Sequence, residues 1–164
     1  PLSRLQSMKF MPDLTWDICG YNTINRDNFG LEIKPTLIQN SLKYYDAIIV
    51  PGGHGTRHLQ YDPVFIGWLQ TASEQATKIS ICTGSLLLGA AGFLNGKKAT
   101  TNYNEYEALR PYCGEVLTDR IVEDGNCITA GAVSASLELG LYLCAQWAGA
   151  EAAAEIRKKM DYRG

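Results

Sequence analysis

Short apolar runs that end at glycine or proline alternate with helical patterns along this chain. Residues 46–50 form a largely apolar run that is followed by a Pro-Gly-Gly stretch at 51–53. Such a run is typical of a strand buried on both faces of a parallel sheet. A second run, at 78–81, leads without a gap into Cys82 and then into a helical pattern at 86–92. The alternation predicts an α/β fold: a doubly wound, mostly parallel sheet with helices on both faces.

The ends of several further elements are visible in the sequence. Asp62 and Pro63 have the N-cap and first-turn preferences of a helix. The apolar stripe of that helix is predicted at Val64, Phe65, Trp68 and Leu69. An Asp-Gly pair predicts an antiparallel hairpin over 121–129 at one edge of the sheet. The remaining strands are predicted at 15–21, 31–34 and 98–101, and the remaining helices at 2–8, 105–112, 133–149 and, continuing from the last, 150–160.

Length and charge restrict the class of protein. The chain has 164 residues and a net charge of −2, which suits a single domain over residues 1–164 and provides no basic surface for nucleic acid. No apolar run approaches the roughly 20 residues that span a membrane, and the first residues lack the pattern of a secretory signal. The chain begins in a helical pattern, whereas doubly wound folds begin with a central strand. We therefore expect an N-terminal strand to precede Pro1.

The five cysteines indicate free thiols rather than disulfides or a metal site. They are widely spaced, no Cys-x-x-Cys motif is present, and the chain contains two histidines, His54 and His58. This set argues against a zinc site, and a chain of this size does not need disulfides to fold. We expect a reducing, cytoplasmic location.

Two strand ends carry the residues suited to chemistry. In open α/β sheets, ligands bind beyond the carboxyl ends of the strands. Cys82 lies between a predicted strand and a predicted helix, so it is expected at a sharp elbow that exposes its side chain, and Gly84 lets that turn pack tightly. The helix start near Thr83 supplies unpaired amides that stabilise a thiolate. Gly52 and Gly53 let backbone amides approach a bound atom, so the amides of Gly53 and Thr83 are predicted to form an anion-binding pair.

Other interpretations of the reactive side chains remain open. The alternative interpretation of Cys82 is a buried structural thiol, because free cysteines are often buried. His54 is either a base at this site or a residue that caps its loop. Cys113 lies in a predicted loop with no catalytic group near it. The cysteines of apolar periodic segments are predicted to be structural: Cys19, Cys127 and Cys144.

Three motifs in this order resemble the ThiJ/PfpI superfamily, which is similar to the class I glutamine amidotransferases. They are VPGGHGT at 50–56, ICTGSLLLGAAGFLNG at 81–96 and KKATT at 97–101. The resemblance is strong from about residue 40 onward. It implies a flavodoxin-like fold in which Cys82 is the nucleophile at a strand–helix elbow.

Within this superfamily the chain looks most like the isocyanide hydratases, because a Cys-Thr pair precedes the long LLLGAAG helix. That resemblance implies a cofactor-free hydratase (a hydro-lyase) that acts on a small molecule as a homodimer. Cys82 would attack the isocyanide carbon to form a thioimidate, Thr83 would help to hold the site, and water would release an N-substituted formamide. The oxyanion- and substrate-binding groups would be Gly52, Gly53, His54 and Gly84.

Two departures from the superfamily pattern keep other functions open. The carboxylate that hydrogen-bonds the cysteine in relatives is expected before Pro1. The positions that carry histidine in protease, amidase and other relatives are Thr83 and Asn102 here, which argues against a peptidase. One alternative is a glyoxalase-type enzyme that converts methylglyoxal to lactate without glutathione. The other is a redox- or ligand-sensing domain without turnover.

Overall fold

The structure, a computed structural model, describes residues 1–27 and 29–164. The strands are β1 Cys19–Gly20, β2 Asn25–Arg26, β3 Glu32–Ile33, β4 Leu37–Ile38, β5 Ala47–Val50, β6 Thr77–Ile81, β7 Lys98–Ala99, β8 Glu115–Val116, β9 Ile121–Asp124 and β10 Cys127–Ala130. The helices are α1 Leu2–Ser7, α2 Thr56–Leu59, α3 Pro63–Leu69, α4 Gly84–Ala90, α5 Tyr106–Leu109, α6 Ala135–Ala148 and α7 Ala150–Lys159, and 3₁₀ turns at Tyr103–Glu105 and Arg110–Tyr112 flank α5. The chain divides into two compact units, one made of Pro1–Trp16 with Ser134–Gly164 and the other of Asp17–Val133.

A four-stranded sheet runs through the unit Asp17–Val133 in the order β5-β6-β10-β9. Strand β6 pairs in parallel with both β5 and β10, whereas β9 is antiparallel to β10 at the sheet edge. The register aligns Ile79 with Ile49 on one side and with Ile128 on the other. The carboxyl ends of the three parallel strands therefore lie at one edge. The predicted parallel strands and the predicted edge hairpin are confirmed.

The leucine-rich helix α4 packs against β5 and β6. Leu86 and Leu88 are fully buried and share one apolar core with Leu94. Gly89 lies against the Tyr112 side chain, and a Cβ atom at Gly89 would come within 2.4 Å of the Tyr112 Cβ atom. Burial of this face fixes the position of α4, and with it the turn that joins β6 to α4.

Helix α3 begins as predicted, but two predictions of burial are wrong. The Asp62 side chain accepts hydrogen bonds from the backbone amides of Val64 and Phe65, as expected of an N-cap residue. Because α3 has only two turns, its buried face comprises Ile66 and Leu69, whereas Val64 is 58% exposed. In β5, which lies at the other edge of the sheet, Ile49 is 42% exposed. That strand therefore buries one face, not both.

The three remaining predicted strands are shorter than expected. Trp16 and Ile18 are exposed, and within 15–21 only β1 pairs, in parallel with β4. Strand β3 pairs with β2, which the sequence pattern does not predict. Strand β7 ends before Thr100 because the Thr100 amide donates to the Thr129 hydroxyl, and the Thr101 hydroxyl donates to the turn after β6.

The unit that contains both chain ends consists of α1, α6 and α7. Leu5, Cys144 and Ile156 are fully buried in its core. Helices α6 and α7 were predicted as one continuous helix, but Gly149 separates them with φ of +90°, a conformation that glycine adopts readily. Among the described residues, no helix is both long and apolar enough to cross a membrane.

Lys78, near the amino end of β6, is almost completely buried, with 2% exposure. Its Nζ atom donates to the carbonyl oxygens of Ser73 and Glu74 at 2.6 and 2.7 Å, and it lies 5.2 Å from the centre of the Phe93 ring. These bonds hold the turn before β6, beside a cavity of about 390 Å³. Burial lowers the pKa of Lys78, because it disfavours the charged ammonium.

We predict that Lys78→Met changes how stability depends on pH. Between the folded pKa of Lys78 and the ordinary lysine value of about 10.5, the unfolded chain binds more protons than the folded chain, so the stability of the wild type rises with pH there. The free energy of unfolding of the wild type, minus that of the variant, should therefore increase as pH approaches 10.5. Urea unfolding of both proteins at several pH values measures this difference in the free energy of unfolding. A difference between the wild type and the variant that stays constant with pH would contradict the prediction.

Candidate active site

Cys82 occupies the turn between β6 and α4 with a φ angle of +55°. Residues other than glycine rarely adopt this left-handed conformation, because the Cβ atom crowds the backbone. Such strain persists only where the surrounding structure imposes it, and it concentrates at functional sites. Cys82 therefore lies in a strained turn at the carboxyl edge of the sheet.

Hydrogen bonds hold the backbone of Cys82 on both sides. Its amide donates to the Ala130 carbonyl at 2.9 Å, which extends the pairing of β6 with β10 by one residue. Its carbonyl oxygen accepts from the hydroxyls of Thr101 and Ser85, each at 3.1 Å. Sequence reasoning missed Thr101 altogether and treated Ser85 as a residue of the helix start. The only signal for Thr101 was its place in the KKATT motif.

The loop after β5 lies directly against this turn, and glycine is required on both sides of the contact. A Cβ atom at Gly52 would lie 2.7 Å from the Thr83 nitrogen and 2.9 Å from the Cys82 Cβ atom. A Cβ atom at Gly84 would lie 2.1 Å from the Val50 carbonyl oxygen. The two predicted strand ends are thus brought together as the sequence suggests.

Thr83 links the two segments through its side chain. Thr83 is 3% exposed, and its hydroxyl accepts from the Gly53 amide at 3.0 Å while lying 3.2 Å from the Gly53 carbonyl oxygen. The predicted anion-binding pair of the Gly53 and Thr83 amides is therefore wrong in one member, because the Gly53 amide already donates to the Thr83 hydroxyl. The Thr83 amide itself donates no hydrogen bond to any group within residues 1–27 and 29–164.

His54 lies in the same loop but its ring faces another group. Its Nδ1 atom is 3.5 Å from Nη1 of Arg57, and Arg57 forms an ion pair with Glu105. In the part of the chain that the structure describes, no hydrogen bond joins His54 to Cys82. His54 is exposed, and it follows the glycines of the loop that packs against the turn at Cys82.

The other cysteines lie in different surroundings. All five are free, and Cys127 and Cys144 are buried, as predicted, whereas Cys19 is only half-buried. The Cys19 thiol lies 3.5 Å from the Tyr45 hydroxyl, which donates to Asp17 at 2.8 Å. The other three thiols share one feature, since burial raises the pKa of Cys113, Cys127 and Cys144.

These differences predict the order in which iodoacetamide modifies the thiols of the native protein at pH 7. Cys127 and Cys144 should react at least about tenfold more slowly than Cys82, because their sulfur atoms are covered and their raised pKa values leave little thiolate. Peptide mass spectrometry over time measures the five rates. In 6 M urea the rates should become similar. Modification of Cys127 before Cys82 in the native protein would contradict this assignment.

The fold and the turn together define a class of protein: an α/β domain with a strained cysteine at the carboxyl end of a central parallel strand. The sequence model of the DJ-1/PfpI family matches residues 5–146, and the chain belongs to this family. A solved ThiJ/PfpI family protein from Pseudomonas syringae aligns with 99% of this chain and 69% of its own, with a TM-score of 0.87 and 27% identity. The flavodoxin-like fold class is therefore confirmed.

Two curated relatives indicate the range of functions in this family. Isonitrile hydratase of Pseudomonas putida is 38% identical over 135 residues, which are 81% of this chain and 59% of the relative. The HTH-type transcriptional regulator CdhR of Pseudomonas aeruginosa is 30% identical over 133 residues, 79% of this chain and 39% of the regulator. The chain thus spans about three-fifths of the hydratase and two-fifths of the regulator.

Proposed function

We propose that this protein hydrates isocyanides (isonitriles) to N-substituted formamides, with Cys82 as the nucleophile and no cofactor. The observation that carries the proposal is the strained position of Cys82 at φ +55°, next to a Thr83 amide that has no hydrogen-bond partner among the described residues. The 38% identity to a relative named isonitrile hydratase supports this choice of substrate class.

The reaction needs a soft nucleophile and a source of protons. The Cys82 thiolate would attack the terminal isocyanide carbon, which gains a proton from solvent, so that a carbon–sulfur bond forms and a thioimidate results. Water would then add to the same carbon, and expulsion of the Cys82 sulfur would leave the carbon–oxygen double bond of the formamide. The balance is one isocyanide and one water to one formamide, with the thiol regenerated.

The neighbours of Cys82 have distinct roles in this proposal. The Thr83 amide would donate a hydrogen bond to the oxygen that adds to the thioimidate carbon. The Thr83 hydroxyl would keep the loop at Gly52 and Gly53 against the turn. Gly84 would allow the close contact with β5, and His54 would border the entrance. As the family resemblance implies, we expect the protein to act as a homodimer in the cytoplasm.

Formamide production by the full-length protein tests the proposal. The protein is incubated with an aryl isocyanide at pH 7, and the formamide is quantified by liquid chromatography, with Cys82→Ala as the control. Turnover that disappears in the variant would support the proposal. The same two proteins are incubated separately with methylglyoxal, and the formation of lactate is measured. Production of lactate but not of formamide would contradict the hydratase proposal and support the glyoxalase-type function.

Ligand sensing is a second candidate, because the regulator CdhR shares 30% identity over most of this chain. A sensing domain would bind a small molecule or become oxidised at Cys82 without releasing product. Absence of both formamide and lactate, combined with a Cys82-dependent mass increase of 32 Da in peroxide, would favour this candidate over either enzyme.

A further inference from the structure

The peptide between Cys82 and Thr83 is anchored at its oxygen. That oxygen accepts from the Thr101 hydroxyl and the Ser85 hydroxyl at 3.1 Å each, and from the Ser85 amide at 3.4 Å. The peptide is trans, so its carbonyl and its amide point in opposite directions within one plane. Donors that hold the oxygen therefore also determine where the Thr83 amide points.

The opposite side of this peptide faces the loop after β5. The Thr83 nitrogen lies 2.7 Å from the place that a Cβ atom of Gly52 would occupy. A Cβ atom there would clash with the nitrogen, so glycine at position 52 lets the loop backbone pack directly against this peptide. The amide has no partner among the described residues, so it is available to a group bound beside Cys82.

We propose that Thr101 is a positioning residue, which acts through its hydroxyl to aim the Thr83 amide at the reacting atoms. This inference rests on the proposed hydratase function. It adds to the site a residue that lies outside the loop after β5 and outside the turn between β6 and α4. Cys82 is strained at φ +55°, and a strained turn relaxes unless its neighbours hold it. Thr101 is 1% exposed, so its hydroxyl has no water to compete for the bond with the Cys82 carbonyl.

The adjacent threonine provides a matched contrast. Thr100 is fully buried, but its hydroxyl has no hydrogen-bond partner among the described residues. The Thr100 amide, not its side chain, donates to the Thr129 hydroxyl at 2.8 Å. Replacement of threonine by valine therefore removes a bond to the Cys82 carbonyl at position 101 and removes none at position 100.

Three variants of the full-length protein test the proposal: Thr101→Val, Thr101→Ser and Thr100→Val. For aryl isocyanide hydration, Thr101→Val should lower kcat about tenfold or more, as expected when an anion-binding donor is misaligned, and change KM less than twofold. Thr101→Ser, which keeps the hydroxyl, should restore most of kcat, and Thr100→Val should retain the wild-type value. Equal kcat in Thr101→Val and Thr100→Val, or a loss that Thr101→Ser does not restore, would overturn the proposal.

A second readout does not depend on turnover. The amide nitrogen resonance of Thr83 responds to the hydrogen bonds on the carbonyl of its own peptide, so Thr101→Val should shift it clearly more than Thr100→Val does. If no variant and no wild type produces formamide, the hydratase proposal fails, and this resonance still tests whether Thr101 orients the amide. An unchanged Thr83 resonance in Thr101→Val would overturn the positioning role even if kcat falls.

Discussion

Cys82→Ser should lower the rate of isocyanide hydration by about a thousandfold or more. A serine hydroxyl at the same turn is a far weaker nucleophile than a cysteine thiolate, and loss of the nucleophile removes the covalent route altogether. Serine is close to cysteine in size, so the melting temperature should stay close to that of the wild type. Formamide production under saturating isocyanide measures the rate.

Cys113→Ser is the matched control for that variant. Cys113 is also a half-buried free thiol, and its sulfur donates to the Leu109 carbonyl at 3.6 Å. We expect wild-type turnover in this variant. A Cys82→Ser protein that retains a tenth of the wild-type rate, or a Cys113→Ser protein that loses activity equally, would show that the nucleophile lies elsewhere.

Gly84→Ala should destabilise the fold by about 3 kcal/mol or more, the upper part of the range for inserting an atom into a packed interior. The added Cβ atom would lie 2.1 Å from the Val50 carbonyl oxygen and 3.0 Å from the Pro51 carbonyl carbon. Both are backbone atoms, so the contact is relieved only if the turn and the loop after β5 move apart. Urea unfolding measures the change in the free energy of unfolding.

The same substitution in another helix should have the opposite effect. Gly67 lies on an exposed part of α3, and a Cβ atom added there meets no described atom within 4 Å. Gly67→Ala should therefore stabilise the protein by about 0.5–1 kcal/mol, because it reduces the freedom of the unfolded chain. If the two variants changed the free energy of unfolding by the same amount, the close contact at Gly84 would not be the cause of the destabilisation.

The sequence predicts the sheet edge that carries the site because strand ends leave a local signal. The run at 78–81 ends at Cys82, and the run at 46–50 ends at Gly52 and its neighbours. Parallel pairing then brings those ends to one edge. The contact between loop and turn follows from the glycines, which are the residues that such close approach requires.

The details of the site depend on contacts between residues far apart in sequence. The Thr83 hydroxyl meets the Gly53 amide across 30 positions, so the assignment of that amide to a ligand was wrong. The bond from Thr101 to the Cys82 carbonyl spans 19 positions and has no periodic signature. The pair of β2 with β3 consists of exposed residues, so it buries no apolar face and leaves no alternating apolar pattern in the sequence.

If Cys82 attacks the isocyanide carbon, a covalent intermediate forms on this residue, and rapid-quench mass spectrometry detects it most directly. The full-length protein is mixed with excess aryl isocyanide, quenched in acid within milliseconds to seconds, and digested for peptide mapping. We predict an adduct equal to the whole mass of the isocyanide on the peptide that contains Cys82, which reaches a steady level while formamide accumulates. Formamide that accumulates with no adduct, or with an adduct on another cysteine, would contradict the account.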